Sequence, residues 1–389
     1  MQKLIERDMN APQTYFLDEF GQDEYPSDTI EWESYQGDLG LTPFVPPGTV
    51  APTLAPTGVG EHSAKAAFWK EKMYMDEEWL NNIRQMGTRE KVEPAERKLA
   101  RELTKMRNRC VRRREWMYAK MFTEGQVNYL TQSAVHFTVS YGIPSEHIVN
   151  LTSDERWING SSPDIVGDVF DAKEALSDAV NAEITHMIFN NKTLRTMVED
   201  STIQNLLKKS AFGQGDLFAR PIPVIGSLLD IPNLVNYNEK YKIRAMITNI
   251  NSTTITLDEI TSDVEADMSV RFVNQKTGKY EDKTVSSVDV SSAQIVINEA
   301  LSNSYVEGRD HIEVTASFIP DNKVVFLVNR IDGMPIAEFM QAPFGLDRHY
   351  GQKVDRKEEW DPEGLWVRVQ DKGLPVLYHR DAVYILNHD

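Results

Sequence analysis

The chain of 389 residues carries a formal charge of −17, with 41% hydrophobic and 26% charged residues, a composition suited to two or three globular domains with a substantial core. Its single cysteine, Cys110, excludes an internal disulfide framework, and the acidic balance argues against a protein that grips nucleic acid. No run approaches the ~18 apolar residues of a membrane span, and MQKLIERDMN lacks the apolar core of a signal peptide; the expectation is a soluble protein, not secreted by a standard route.

Residues 1–26 are polar and acidic, with Asp18, Glu19, Asp23 and Glu24 close together. They read as an arm with little structure of its own, ordered only by a partner. In DTIEWESY, Ile30 and Trp32 alternate with Glu31 and Glu33, as on a strand. GLTPFVPPGTVAPTLAPTGVG follows, too rich in proline for a helix or a central strand. SAKAAFWKEKMYM then resumes strand character. Residues 27–75 therefore read as a long two-stranded excursion with a stiff apolar tip, marginal alone because a hairpin has no core. Trp32, Phe44, Val45, Leu54, Phe68 and Trp69 are too apolar for a solvated linker and call for a partner.

Residues 94–122 predict one long helix. Pro94 suits its first turn, Leu99, Leu103, Met106, Cys110, Met117 and Met121 share a face, and Gly125 ends it. It holds ten cations, among them Arg107, Arg109, Arg112, Arg113 and Arg114, against three glutamates, a net +7 in an acidic chain. A solvated face is the plain reading of such a run. The sharper reading is a cationic strut that pairs with acidic segments of its own or a neighbouring subunit; a nucleic-acid tract is disfavoured by the acidic remainder. Cys110 reads as a small core residue.

Residues 134–151 predict strands, 157–170 a loop, and 171–183 a helix capped by Asp171. ITHMIFN predicts a buried strand, followed by two short helices with Ser201 capping the second. PIPVIG and LLDIPNLVNY predict strands and turns, and Phe212–Asp216 a loop. Residues 245–318 have almost no helical periodicity, and NINSTTITLDE (249–259) matches DVSSAQIVINE (289–299) at an offset of forty. Two such units predict a small barrel or sandwich inserted into an αβ layer that resumes at KVVFLVN. Residues 364–389 predict three short strands which, with 134–151, would form a sheet beside the long helix.

Catalytic motifs are missing. No pair of the eight histidines has metal-ligand spacing, and there is no G-x-S-x-G, Walker A or H-E-x-x-H sequence. No catalytic, cofactor or metal residues are expected, and the protein is read as not an enzyme.

Taken in order, these parts resemble the major capsid proteins of tailed bacteriophages, the lambda-type major capsid protein E family. The most telling pieces are WESYQGDLGLTPFVPPGTVAP, MRNRCVRRREW and FNNKTLRTMVEDSTIQNLLKK. The resemblance implies an α+β, Hong Kong 97-like fold: N-arm 1–26; E-loop 27–75; P-domain 76–170 and 349–389 with the spine helix at about 94–122; A-domain 171–244 and 319–348; and a β-barrel-like I-domain inserted at 245–318. It implies a shell protein forming pentamers and hexamers of an icosahedral head around double-stranded DNA, held without sequence-specific contacts. The implied location is the virion, with assembly in the host cytoplasm and no membrane partner. The assembly contacts expected are Trp32, Phe44, Val45, Phe68 and Trp69 on the hairpin, and Arg107, Arg109, Arg112, Arg113 and Arg114 on the helix.

The arm is short for a cleavable scaffolding domain, so a separate scaffolding protein is expected, beside a portal protein and decoration proteins. The tip from Leu41 to Gly60 has no lysine, while Lys65, Lys70 and Lys72 lie on the return strand, so no covalent crosslinking between subunits is expected. The alternatives are an encapsulin-like nanocompartment shell, which would hold a cargo enzyme and no genome, and a soluble α/β enzyme with a β insertion domain.

Overall fold

Phe16 and Phe20 stand four residues apart, on one face of the short helix α1 (Tyr15–Phe20), and both are buried. The computed structural model describes residues 12–35, 60–76, 95–130, 136–158, 160–209, 214–258, 260, 264–289, 291–361 and 363–388. Strand β1 (Gln22–Glu24) follows α1. The arm was expected to need a partner for order, and over residues 12–24 that expectation is corrected. Its two phenylalanines stack with Tyr118 and Phe122 of the long helix, at centroid distances of 5.1–6.2 Å, within the chain's own main core.

Strand β2 (Thr29–Ser34) alternates as its sequence predicts, turning Ile30, Trp32 and Ser34 inward. It pairs antiparallel with β3 (Gly60–Lys65), from Thr29↔Lys65 to Ser34↔Gly60. The Pro-rich tip, with Phe44 and Val45, lies outside the described residues. The next strand, β4 (Ala67–Asp76), leaves the hairpin and joins a larger sheet.

Helix α2 runs unbroken over Ala95–Glu124, 30 residues and therefore about 45 Å long. Gly125, at φ +66°, closes it and returns its N–H to the Met121 carbonyl at 3.1 Å. Strands β5 (Gln126–Leu130) and β6 (His136–Ser140) pair as a hairpin, and β7 (Ile148–Asn150) joins a separate sheet. The expected single sheet of 134–151 with the C-terminal strands is thus divided.

Helix α3 (Ile165–Val180) starts earlier than its sequence suggested. Asp164, not Asp171, caps it, accepting the Gly167 N–H at 2.9 Å. After β8 (His186–Phe189), Asn190 caps α4 (Asn191–Glu199) by accepting the N–H groups of Lys192 and Thr193. Asp200, not Ser201, caps α5 (Ser201–Lys209), accepting the Ile203 N–H at 2.8 Å. Residues 214–219 form the short helix α6 (Gln214–Ala219). PIPVIG is helix α7 (Pro221–Leu229) rather than a strand. Its two prolines, Pro221 and Pro223, sit in the first turn, where backbone N–H groups have no helical acceptor, and Asp230, at φ 52°, ends it. Strand β9 (Asn233–Asn236) follows.

The insertion closes into a six-stranded barrel: β10 (Lys240–Asn251), β11 (Thr254–Leu257), β12 (Ser269–Val273), β13 (Tyr280–Asp289), β14 (Gln294–Ile297) and β15 (His311–Ser317), in the order β10-β11-β14-β13-β12-β15. The two copies of the internal repeat meet in it, because β11 and β14 pair antiparallel with Ile255 opposite Ile295. Both isoleucines are fully buried in the barrel's own core.

The chain ends with β16 (Lys323–Leu327), the two-residue strands β17 (Arg330–Ile331) and β18 (Met334–Pro335), β19 (Ala337–Gln341), β20 (Lys353–Trp360), β21 (Glu363–Leu377) and β22 (Val383–Asn387). Of the three short strands predicted over 364–389, the first two are one 15-residue strand, β21, and the third is β22; Asp371–Gly373 continue β21 because their neighbours β4 and β19 complete its hydrogen bonds. One sheet has the order β1-β19-β21-β20, with β4 also on β21; a second is β7-β22-β16-β8-β9. Helices α3, α4, α5 and α7 cover the second sheet with a separate apolar core, including Val169, Leu176, Met197, Leu207 and Ile225.

Candidate assembly interface

Helix α2 has two different halves. Residues 114–123 are buried on every side, whereas the first half, up to Arg113, is only partly covered. The apolar stripe meets β4 and β21: Met106 and Cys110 pack with Val369, against Trp69, Met73 and Val354. Burial pushes the Cys110 thiol up to about 12, so it is an inert core residue.

The cations of α2 have gone largely to partners within the chain. Arg109 pairs with Glu71 on β4, Arg112 reaches Glu239 at 3.3 Å, and Lys120 reaches Glu124 at 2.5 Å. Arg114 is buried and makes a bidentate pair with Asp371, with further contacts to Gln22 and to the face of Phe339. Its expected role in a neighbouring subunit is therefore corrected: desolvated beside a carboxylate of its own chain, it holds the arm and β21 on the helix. The strut reading of the sequence holds within one subunit. Arg107 and Arg113 remain exposed, Arg113 lying 4.9 Å over the Trp116 ring.

Trp32 is corrected in the same way. It is 7% exposed, stacked on His62 at 5.4 Å and close to Tyr141, so it belongs to the subunit's core and offers no free surface. Trp69 is half-buried beside Cys110. Of the described hairpin candidates only Phe68 is exposed, with its ring 5.6 Å from Phe344 and Lys70 over its face.

Four of the described candidates, Trp69, Arg109, Arg112 and Arg113, line a groove of about 570 Å³ between α2, β4 and β10; Trp32, Phe68, Arg107 and Arg114 lie outside it. Lys70, Arg112, Arg113, Lys240, Lys242 and Arg244 line it, and Trp69, Trp116 and Tyr241 form apolar parts of its wall. Glu71, Glu239 and Glu313 take part of this charge. Lys70, Arg113 and Lys240 stay exposed. Such a surface suits an acidic segment carrying an aromatic or apolar side chain.

Two residues that sequence reasoning passed over matter here. Glu115 counted only as one of three anions on a basic helix, yet it is buried and accepts the N–H groups of Phe16 and Leu17 at 2.7 and 3.2 Å and the Tyr237 hydroxyl at 3.1 Å. It caps α1 from another helix, since Thr14 supplies no side-chain cap. Burial raises its carboxyl to about 7. Nothing in the local sequence marks it, because its partners lie 98 to 122 residues away. Trp360 is 92% exposed at the end of β20; its signal was local, an aromatic inside the acidic run EEWDPE.

The profile of the phage major capsid protein E family matches residues 5–249, from the arm into the first strand of the barrel. The chain belongs to the phage major capsid protein E family. It is a structural capsid protein with a non-enzymatic role, its place is the virion capsid, and it assembles with copies of itself. Solved structures of similar outline include a phage-related protein from Bordetella bronchiseptica RB50 (10% identity, TM-score 0.47, covering 96% of this chain and 92% of that one). A prophage protein of E. coli CFT073 has 11% identity and a TM-score of 0.47, covering 98% and 96%. The capsid of cyanophage P-SCSP1u has 10% identity and a TM-score of 0.45, covering 97% and 88%. No curated protein sequence matches the chain.

Proposed function

We propose that this capsid protein closes into pentamers and hexamers and builds an icosahedral head that encloses double-stranded DNA. The observation that carries the reading is the family match over residues 5–249, which spans the arm, the hairpin and the long helix. A groove with this charge and these aromatic walls supports head-to-tail contacts between copies, and such contacts give rings when the rotation closes. The charge of −17 favours a wall that repels DNA and lets the genome slide without sequence-specific grip.

A separate scaffolding protein, a portal protein and decoration proteins complete the proposal, with assembly in the host cytoplasm. The hairpin's Pro-rich tip, Phe44 and Val45 included, is proposed to reach across a neighbouring subunit. The division into N-arm, E-loop, P-, A- and I-domains is proposed with the bounds given above. Covalent crosslinking is not part of it, and shells that survive boiling in SDS as ladders would contradict that.

The test is negative-stain electron microscopy with sizing chromatography on the purified protein, alone and with its scaffolding protein. Closed shells or rings of five and six are expected, and DNA inside nuclease-treated shells separates a virus head from a cargo compartment. A protein that stays monomeric with its scaffold and under crowding overturns the reading.

A further inference from the structure

Strands β20 and β21 pair without interruption from Lys353↔Gln370 to Trp360↔Glu363, so the hairpin presents its end as a rigid unit. At that end Trp360 is 92% exposed, although a tryptophan normally covers most of its large apolar ring. Glu358, Glu359, Asp361 and Glu363 flank it, and no cation falls within 358–363. Glu359 is held by the Trp366 indole N–H at 2.5 Å, while Glu358, Asp361 and Glu363 are exposed. The result is an aromatic knob in a ring of negative charge.

The groove beside α2 is its complement in sign, in shape and in chemistry. It is concave, its exposed cations include Lys70, Arg113 and Lys240, and its walls carry Trp116 and Tyr241. Arg113 already lies 4.9 Å over the Trp116 ring, and a guanidinium is the cation that associates most readily with a further aromatic ring.

The knob does not reach the groove of its own chain. Strand β4 runs beside β21 with Lys70 opposite Gln370 and Asp76 opposite Gly364. Six strand positions, about 20 Å, therefore separate the groove from the hairpin end along one rigid sheet. Any partner of complementary charge has to come from outside, and the chain itself supplies one.

We propose that the Trp360 knob of one subunit docks into the α2 groove of a second copy of this chain, its carboxylates meeting Lys70, Arg113 and Lys240. The contact joins two different surfaces, so it is head-to-tail and propagates around a ring. It rests on the self-assembly described above, and it assigns that assembly a pair of faces separate from the Pro-rich tip. Charge sets the orientation of the encounter, and the buried indole supplies a hot spot of the kind Trp and Arg commonly form.

The experiment is a charge swap on the full chain. Reversing the knob (Glu358→Lys with Asp361→Lys) is expected to reduce the assembled fraction about tenfold or more, and so is reversing the groove (Arg113→Glu with Lys240→Glu). All four substitutions in one chain are expected to restore assembly, which a surface that merely solubilises the subunit would not do. Circular dichroism of the unassembled variants checks that each one folds.

A second measurement covers any variant that does not fold. Trp360→Cys with Lys242→Cys, oxidised in assembled particles, is expected to give a ladder of linked subunits, with the buried Cys110 outside the reaction. If the parent chain assembles and either reversal assembles equally well, or the swap fails to rescue, or oxidised particles show no ladder, the knob docks elsewhere, on a scaffold or decoration protein, and the proposal falls. If the parent itself never assembles, the failure belongs to the self-assembly reading.

Discussion

Arg114 and Asp371, 257 residues apart in the chain, form a bidentate ion pair with Nε–Oδ2 at 2.7 Å and Nη2–Oδ1 at 2.8 Å. Both side chains are nearly out of reach of water, at 7% and 0% exposure. The pair locks the long helix to the strand on which β4 and β19 also hang, and Arg114 reaches on to Gln22 of the arm.

Removing one partner leaves the other charged and buried. Arg114→Met is therefore expected to destabilise the subunit by about 3–5 kcal/mol, read from the urea midpoint of the unassembled protein. Arg114→Met combined with Asp371→Leu is expected to recover most of that loss, since the desolvation cost then disappears with both charges. Equal losses in the single and double variants would show that the pair is not what holds these elements together.

The arm is expected to respond to pH through Glu115. Its carboxyl is raised from 4.5 to about 7 in the folded chain, with burial as the largest cause. The folded state thus binds the extra proton between those values, and stability falls as pH rises from about 4.5 to about 7, by roughly 3 kcal/mol in all. Tyr15, Asp18 and Tyr237 face the same site. Protease cleavage near residue 14, followed from pH 5 to pH 8, is expected to quicken toward pH 8 in the parent and to stay flat in Glu115→Gln. An opposite slope would contradict the assignment.

Two aromatic residues of the hairpin region are expected to separate folding from assembly. Trp32→Ala removes a buried ring and is expected to cost about 3–5 kcal/mol of subunit stability. Phe68→Ala, at a position 45% exposed, is expected to leave the melting temperature nearly unchanged and to lower the yield of shells. A paired thermal melt and electron-microscopy count on both variants checks this; unchanged stability in Trp32→Ala would return that residue to the intersubunit surface.

The elements with strong local signals were legible in advance. The long helix, the alternation of Thr29–Ser34, the buried strand at 186–189 and the β insertion follow from periodicity and from the placement of Gly and Pro, which act over a few residues. The misreadings have two causes. PIPVIG forms a helix whose first proline takes the N-terminal position, a local signal that its β-branched residues obscured, whereas Asp371–Gly373 extend a strand because two neighbours complete its hydrogen bonds. Only the second outcome depended on contacts that a short window does not contain.

The amino-acid sequence by itself determined the order of the parts, the cationic character of one long helix in an acidic chain and the excess of apolar surface around the hairpin. Only the tertiary structure decided which of those cations are free and which aromatics are core. Arg114 and Arg113 are neighbours of the same type, yet one is sealed against Asp371 and the other lies open on Trp116. The reason is geometric. A helix turns about 100° per residue, so adjacent side chains face different surroundings, and those surroundings are built from strands hundreds of residues away.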